Sequence, residues 1–420
     1  CEVVHSDCAV TSSFESDSEM LNWLYNAYIR TQLSNMHSGV PSDCPHIERL
    51  GYTGDGQLCC EAAMMLLDSQ KFYKKWLEDI SDCQSVGNGH VQHTAPFMGG
   101  GGGPAGWGGA IAVVPYEMYK IYGDKETFRR YLPKILRYFD YLDSRSSGGL
   151  VCREEEGGWC LGDWCPPEPI TICEPFVNTA LYVKQMMMTK EASEAIGESE
   201  TAAMLEKRIE EKKQAILNAY YSPQTGSFIG DAQGANSFAV DIGLGGERAF
   251  NNTKKKYDAA DAFDTGIFGT DILTRVLFER GCADTAFHLL TSTGKGSFYN
   301  MKKQGATTIW ENWDGERSHS HPMFGAVTRY LFSFILGITQ EKSSAGYEKI
   351  VIAPQIPDGL NRASGHITTV RGEIAVSFIR TEREMDFYVT VPQKAWFTYG
   401  SDCEYELWEG ENHIHIDFEE

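Results

Sequence analysis

The sequence predicts a ring of paired α-helices with a small antiparallel β domain at its C-terminal end. Two periodicities predict this: apolar residues recur at helical spacing in segment after segment from about residue 16 to 338, and beyond Gln340–Ser344 the period becomes two. A third observation places function. The helical segments are joined by long loops rich in Gly, Trp and Pro, and unusual residues gathered in loops mark where chemistry sits.

The elements follow in order. Ser16-x-x-Glu19 reads as a capping box ahead of Leu21, Leu24, Tyr25 and Tyr28 on one helical face. Asp55 opens a second helix through Leu67, and a third apolar-periodic stretch runs from Phe72 to Ile80. Ala110–Tyr122 stops at Gly123, and a helix restarts after Asp124 with Phe128, Leu132, Ile135, Phe139 and Leu142 on one face. Val177–Met188, Ala202–Tyr220, Ile272–Glu279 and Asp284–Leu290 follow, and a last helix begins at Pro322, where a missing N–H costs nothing in the first turn. Ile350–Ile352, Ile374/Val376/Phe378 and Phe387/Val389/Val391 then alternate as strands. Residues 13–340 therefore read as the helical domain and 345–420 as the β domain.

The chain opens on Cys1 with no basic-then-apolar segment, which reads as a mature form or an excised piece. Glu2–Ser6 resembles the tail of a strand, so residues 1–12 read as the remnant of an upstream β region. Twelve scattered cysteines fit small buried hydrophobes in a reducing, cytoplasmic setting better than a disulfide scaffold, though their even count leaves bridges and a secreted setting open.

Composition narrows the partners. With 420 residues, 42% of them hydrophobic, the chain is globular. Fifty-eight acidic against 37 basic residues give a net charge of −21, which argues against nucleic acid or an anionic membrane. No stretch approaches the roughly 20 apolar residues of a membrane-spanning helix. An acidic, aromatic-rich chain suits a neutral, hydroxyl-rich ligand.

Two loops carry the chemistry. Asp43-Cys44-Pro45-His46-Ile47-Glu48 runs into Arg49-Leu50-Gly51-Tyr52-Thr53-Gly54-Asp55, three acids and a tyrosine on a backbone stiffened by Pro and turned by Gly. The plainer alternative is that Asp55 caps a helix and Glu48 is merely exposed. Thr308-Ile309-Trp310-Glu311-Asn312-Trp313-Asp314 sets a carboxylate between two indoles ahead of His319 and His321. Its alternative is that both rings enter the core. Gly106-Trp107-Gly108 and Gly162-Asp163-Trp164 repeat the mixture of planar faces and carboxylates that a sugar pocket needs. The glycine run at 99–103 lacks the Gly-Lys-Ser/Thr of a phosphate loop, and only Cys160/Cys165 has zinc-like spacing, so neither a cofactor nor a metal is expected. Two separated loop carboxylates among tryptophans fit glycoside hydrolysis, in which one protonates the leaving oxygen and the other activates water or attacks the anomeric carbon.

These motifs, with the later His321-x-x-Phe324-Gly325-Ala326-Val327 and Ile352-Ala353-Pro354, resemble in order those of the α-L-rhamnosidases of glycoside hydrolase family 78. The resemblance implies an (α/α)6 six-hairpin toroid with a C-terminal β-sandwich. It also implies inverting hydrolysis of terminal α-L-rhamnosides, with a carbohydrate as partner. By position it makes Glu48 the general acid and Glu311 the base. Asp43, Asp55, Asp163 and His321 would bind hydroxyls, and Tyr52, Trp107, Trp164, Trp310 and Trp313 would wall the pocket. An inverting pair stands about 6.5–9.5 Å apart. Ile47 stands where many relatives carry arginine, which keeps open a six-hairpin glycosidase for another sugar or a binding relative with weakened catalysis.

Overall fold

A computed structural model describes residues 4–98, 106–153, 155, 160–400 and 403–418. The glycine run at 99–103 and Gly158–Trp159 lie outside the described residues. After a short strand, β1 (Ser12–Ser16), the chain alternates outer and inner helices. Outer α1 (Glu19–Ser34) leads to inner α2 (Thr53–Leu66), α3 (Gln70–Asp82) to α4 (Ala110–Tyr122), and α5 (Lys125–Ser144) to α6 (Glu174–Ala195). Then α7 (Ser199–Tyr220) leads to α8 (Ala235–Asp241), and α9 (Gly246–Asp258) to α10 (Ile267–Glu279). Last, α11 (Ala283–Thr291) and the short α12 (Phe298–Lys303) lead to an inner segment wound as 3₁₀ over Met323–Thr328 and as π over Leu331–Ile335.

The inner segments touch in a closed cycle: α2 meets α4, α4 meets α6, α6 meets α8, α8 meets α10, and α10 and α2 both meet Met323–Thr328. Burial follows the same division. Every residue of α2 except Glu61 is buried, whereas α5 buries one stripe (Phe128, Leu132, Ile135, Phe139 and Leu142 within it) and leaves its charges outside. Residues 36–41, 146–151 and 221–228 form three similar tight hairpins, β2–β3, β4–β5 and β6–β7, after outer helices α1, α5 and α7. Each turns the chain back toward one end of the ring and delivers the loop that precedes the next inner helix.

The C-terminal unit packs two sheets. One has the order β1–β10–β11–β12–β15, built from β1, β10 (Arg362–Thr369), β11 (Gly372–Arg380), β12 (Glu384–Val391) and β15 (Gly410–Asp417). The other runs β14 (Cys403–Leu407), β13 (Ala395–Tyr399), β9 (Ile350–Ile352), β8 (Ile338–Gln340). All neighbours are antiparallel except β9 and β13, which are parallel. The alternation expected at 374–378 and 387–391 is the buried face.

Several expectations change. Val4–Ser6 form no strand; the N-terminal strand is Ser12–Ser16, and it pairs with β10 at the edge of the C-terminal sheet instead of belonging to the helical ring. The cap of α1 is Ser18, whose side chain accepts from the Leu21 N–H, while Ser16 is held by Asn22 at the end of β1. Helices α8, α9 and α12 had no counterpart in the reading of periodicity. The first and last are too short to show one, and α9 opens on Gly245–Gly246 and is otherwise lysine-rich, burying only Ala249, Phe250, Thr253 and Tyr257.

Phe14 of β1 fastens the two parts. Its ring packs on Tyr25 of α1 at 6.3 Å and on Phe332 of the last inner segment at 5.8 Å. Phe14→Ala should lower the unfolding free energy by about 3–5 kcal/mol, the usual cost of removing a buried aromatic ring. Urea denaturation measures this, and a loss under about 1 kcal/mol would show that β1 is not the fastening.

Candidate active site

Inner helices begin at one end of the ring, and the loops that precede them converge there. Tyr52 caps α2, Gly109 precedes α4, Gly266 precedes α10 and Pro322 precedes the last segment. The N-terminal ends of helices present free N–H groups and a partial positive charge, which is why buried carboxylates are tolerated in this region.

Asp55 lies in the first turn of α2, but its side chain does not cap the helix. It accepts a 2.7 Å hydrogen bond from Nε2 of His321, 266 residues away, and both side chains are buried. On its far side, Nδ1 of His321 stands 3.9 Å from Oε2 of Glu311. Burial disfavours the imidazolium, yet Asp55, Asp43 and Glu311 outweigh it and raise the His321 pKa above its ordinary value. Glu311 is 3% exposed; the Ser318 N–H donates to its Oε2 at 3.2 Å, and the Arg317 guanidinium stands 3.7 Å from Oε1.

The acidic loop is built around Asp43, which is 1% exposed. The Leu50 N–H donates to Oδ1 at 2.9 Å and the Asp43 N–H returns to the Leu50 carbonyl at 2.9 Å, closing the loop on itself. Oδ2 makes no protein hydrogen bond of normal geometry. The buried Cys44 thiol donates to Oε2 of Glu48 at 3.3 Å, and ligand atoms of Asp43, Cys44 and Glu48 lie within 4.8 Å of one another. Burial and the negative Asp55 push Asp43 up to about 7. Burial acts in the same direction on Glu48, but hydrogen bonds from Asp43 and Cys44 prevail and hold it below its ordinary value. The pair thus holds one proton nearly to neutrality, chiefly on Asp43, and titrates as a unit. The trio is also the one place at this end, among the described residues, with three metal-type ligands in reach. Its thiol is pushed up to about 11, so a metal would first have to displace that proton. Tyr52 faces the same cluster; burial and the charges of Asp43, Glu48 and Asp55 raise it to about 12.

The tryptophans are placed differently from the expectation. Trp107 and Trp313 are each 3% exposed. Trp107 covers Gly54, where a Cβ would come within 2.4 Å of the indole, and meets Phe268 edge-on at 5.6 Å. Trp313 sits among Phe263, Phe298 and Phe324. Trp310 stacks on His319 at 4.2 Å, and Gly315, at φ +86°, packs against its ring. These three rings brace the loops from behind and do not form an open wall. Half-buried Tyr52 and Trp164 remain as aromatic faces.

Asp163 also departs from its expected role. Its Oδ2 accepts from the Gly266 N–H at 2.7 Å, and Oδ1 accepts from Phe268 and Gly269 at 2.9 Å each. It caps α10 across the chain, and three of its roughly four lone-pair sites are taken by backbone N–H groups.

Three residues near the acids were given no site role by the sequence reading. Arg317 reaches Glu311, and Cys165 is electrostatically coupled to Glu311 and Asp55. Arg49 adjoins Glu48. All three have positive φ (62°, 59° and 59°), a strained conformation for residues other than glycine that clusters at functional sites. Strain leaves no trace in composition; the cue available for Arg317 was its position between Glu311 and His321.

Comparison with known proteins agrees with this fold. Residues 9–335 match the bacterial alpha-L-rhamnosidase six-hairpin glycosidase domain, and residues 337–397 match the bacterial alpha-L-rhamnosidase C-terminal domain. An alpha-L-rhamnosidase of Streptomyces avermitilis is 30% identical over 89% of this chain and 36% of its own length. One from Formosa agariphila is 27% identical over 93% of this chain and 44% of its own. The chain thus spans less than half the length of these curated relatives. The crystal structure of the Streptomyces avermitilis alpha-L-rhamnosidase complexed with L-rhamnose superposes with a TM-score of 0.89 at 26% identity, covering 98% of this chain and 43% of that one. The Aspergillus terreus alpha-L-rhamnosidase superposes at 0.91 with 22% identity, a likeness of fold, over 99% of this chain and 51% of that one.

Asp163→Asn should cost about 2–3 kcal/mol of stability, because an amide cannot accept from three buried N–H groups at once. Thermal unfolding followed by circular dichroism reads this. An unchanged midpoint would mean that the cap on α10 is dispensable.

Proposed function

The chain belongs to the bacterial α-L-rhamnosidases of the six-hairpin glycosidase type, and from that membership we propose that it removes terminal α-L-rhamnose from glycosides by inverting hydrolysis. The observation that carries the reading is the imidazole of His321. It is held by Asp55, stands 3.9 Å from Glu311 and interacts electrostatically with Asp43 and Glu48, so one imidazole relates the buried candidate base to the exposed candidate acid.

In this reading Glu311 is the base. It takes a proton from a water whose oxygen attacks the anomeric carbon. Glu48, on the exposed side of the acid pair, gives a proton to the glycosidic oxygen as the carbon–oxygen bond breaks. The proton it gives is the single one the pair holds on Asp43, passed through Glu48, and solvent later carries the proton taken up by Glu311 back to the pair. The net change is one water added, with inversion at carbon. His321 and Arg317 place positive charge beside Glu311. The half-buried Tyr52 is left for sugar hydroxyls.

Glu48→Gln and Glu311→Gln should each lower hydrolysis of an aryl α-L-rhamnoside by about 10²–10⁴-fold while leaving rhamnose binding intact. Near-normal rates in either variant would remove that residue from its role. Proton NMR of the first-formed sugar tests the stereochemistry: β-rhamnose is expected, and α-rhamnose would overturn inversion. If no rhamnoside in a panel of aryl glycosides is cleaved, the assignment of substrate fails.

The pH dependence follows from the acid pair. Activity needs its proton, so kcat/KM should fall as pH rises through about 7, the value to which Asp43 is raised. Asp43→Asn removes the raised carboxyl and should move this alkaline limb to lower pH. A limb that stays in place would transfer the proton to another group.

A further inference from the structure

A second cavity of about 880 Å³ lies at the other end of the ring, among the C-terminal halves of the inner helices. Helix α2 shows the separation: Asp55 in its first turn belongs to the site described above, whereas Glu61 and Met65 near its last turn line this cavity.

Three of the cations that line it are committed. Lys120 holds Glu191 at 2.9 Å and the carbonyls of Lys342 and Ser344. Lys184 and Arg275 share Asp241 at 2.9 and 2.7 Å. Behind the wall, Arg329 binds Asp271 and Glu61, each at 2.7 Å. One acid is not committed. Glu117 of α4 is 7% exposed and lines the cavity, and no hydrogen bond or ion pair of its carboxylate is found among the described residues. A buried carboxyl without a direct partner is costly to ionise, and the cations that act on it, Arg329, Lys120 and Arg275, do so only from a distance because each is paired with another acid.

We propose that this cavity binds a compact organic ammonium ion, a primary amine on a short carbon skeleton, whose charged end pairs with Glu117 beside Glu61. A bare metal ion fits less well. The groups of three metal-type ligands within 4.8 Å, among the described residues, are Asp43–Cys44–Glu48 and Glu384–His415–Asp417, and neither is here. The volume is also that of an organic molecule rather than an ion. Tyr116 and Met65 on the same wall offer an aromatic face and a thioether to the alkyl part.

The binding step has a proton balance. Burial, and then Glu61, raise the Glu117 pKa, so the carboxyl enters the complex protonated and gives its proton to buffer as the ammonium ion docks. Calorimetric titration of the full chain with 1,4-diaminobutane, using 1,4-butanediol as the uncharged isostere, tests this. Expected are saturable binding of the diamine, at least about tenfold weaker binding of the diol, and an enthalpy that varies with buffer ionisation as one proton is released. Glu117→Gln, checked for an unaltered melting curve, should weaken the diamine at least about tenfold. If that variant does not fold, the proton release and the diamine–diol contrast in the unmodified chain decide. No diamine binding at millimolar concentration, equal binding of the diol, no released proton, or an unchanged affinity in a folded Glu117→Gln would overturn the proposal. Calcium ions competing stoichiometrically with the diamine would overturn it in favour of a metal site.

Discussion

The hydrogen bond between Asp55 and His321 is the contact on which the rest of the site depends. It joins the first inner helix to the last inner segment across 266 residues, and so closes the ring at the end where the chemistry lies. Weaker contacts repeat the closure alongside it: Thr31 accepts the Ile309 N–H at 2.8 Å, the Trp23 indole donates to the Ala306 carbonyl, and Asn35 reaches Ser320. With the imidazole held on Asp55, its other nitrogen can face only Glu311. One buried pair therefore does two things: it sets the position of the last loop and places an imidazole of raised pKa between two acids that would otherwise repel.

The placement of charge along the ring has a common physical cause. At one end the helices present N–H groups, and Asp55 and Asp163 are satisfied there, one by His321 and one by the free N–H groups of α10. At the opposite end carbonyls are presented, the acids there need cations, and nearly all have them. Glu117 is the departure from this pattern. At the first end the loops are held in strained conformations at Arg49, Cys165 and Arg317, each costing about 1–3 kcal/mol, and the aromatic packing of Trp107, Trp310 and Trp313 behind the loops holds them there.

The distinction between bracing and lining was the point at which residue type misled. Tryptophan beside glycine has the composition of a sugar-binding wall, and it equally has the composition of a ring packed on bare backbone. At Gly54 and Gly315 the second is the case, since any side chain would collide with the indole. Asp163 misled in the same way. An acid next to Trp in a loop looks poised for a hydroxyl, and only the approach of α10, about a hundred residues later, shows its oxygens already occupied.

Sequence alone determined the periodic elements: the outer helices with one apolar stripe, the helix that Asp55 opens, the stop at Gly123 with restart at Asp124, and the alternating strands after residue 345. These depend on neighbours three or four residues apart, or two in a strand, and that information is local. The ordered motifs also placed Asp43, Glu48, Glu311 and His321 on loops and Asp55 at the start of a helix. Tertiary structure decided which of these meet, which acid of the Asp43–Glu48 pair keeps the proton, that β1 joins a sheet formed some 350 residues later, and that Asp163 serves a helix. Such outcomes follow from burial and from partners distant in the chain, and the energy of a buried charge is set by what surrounds it in space.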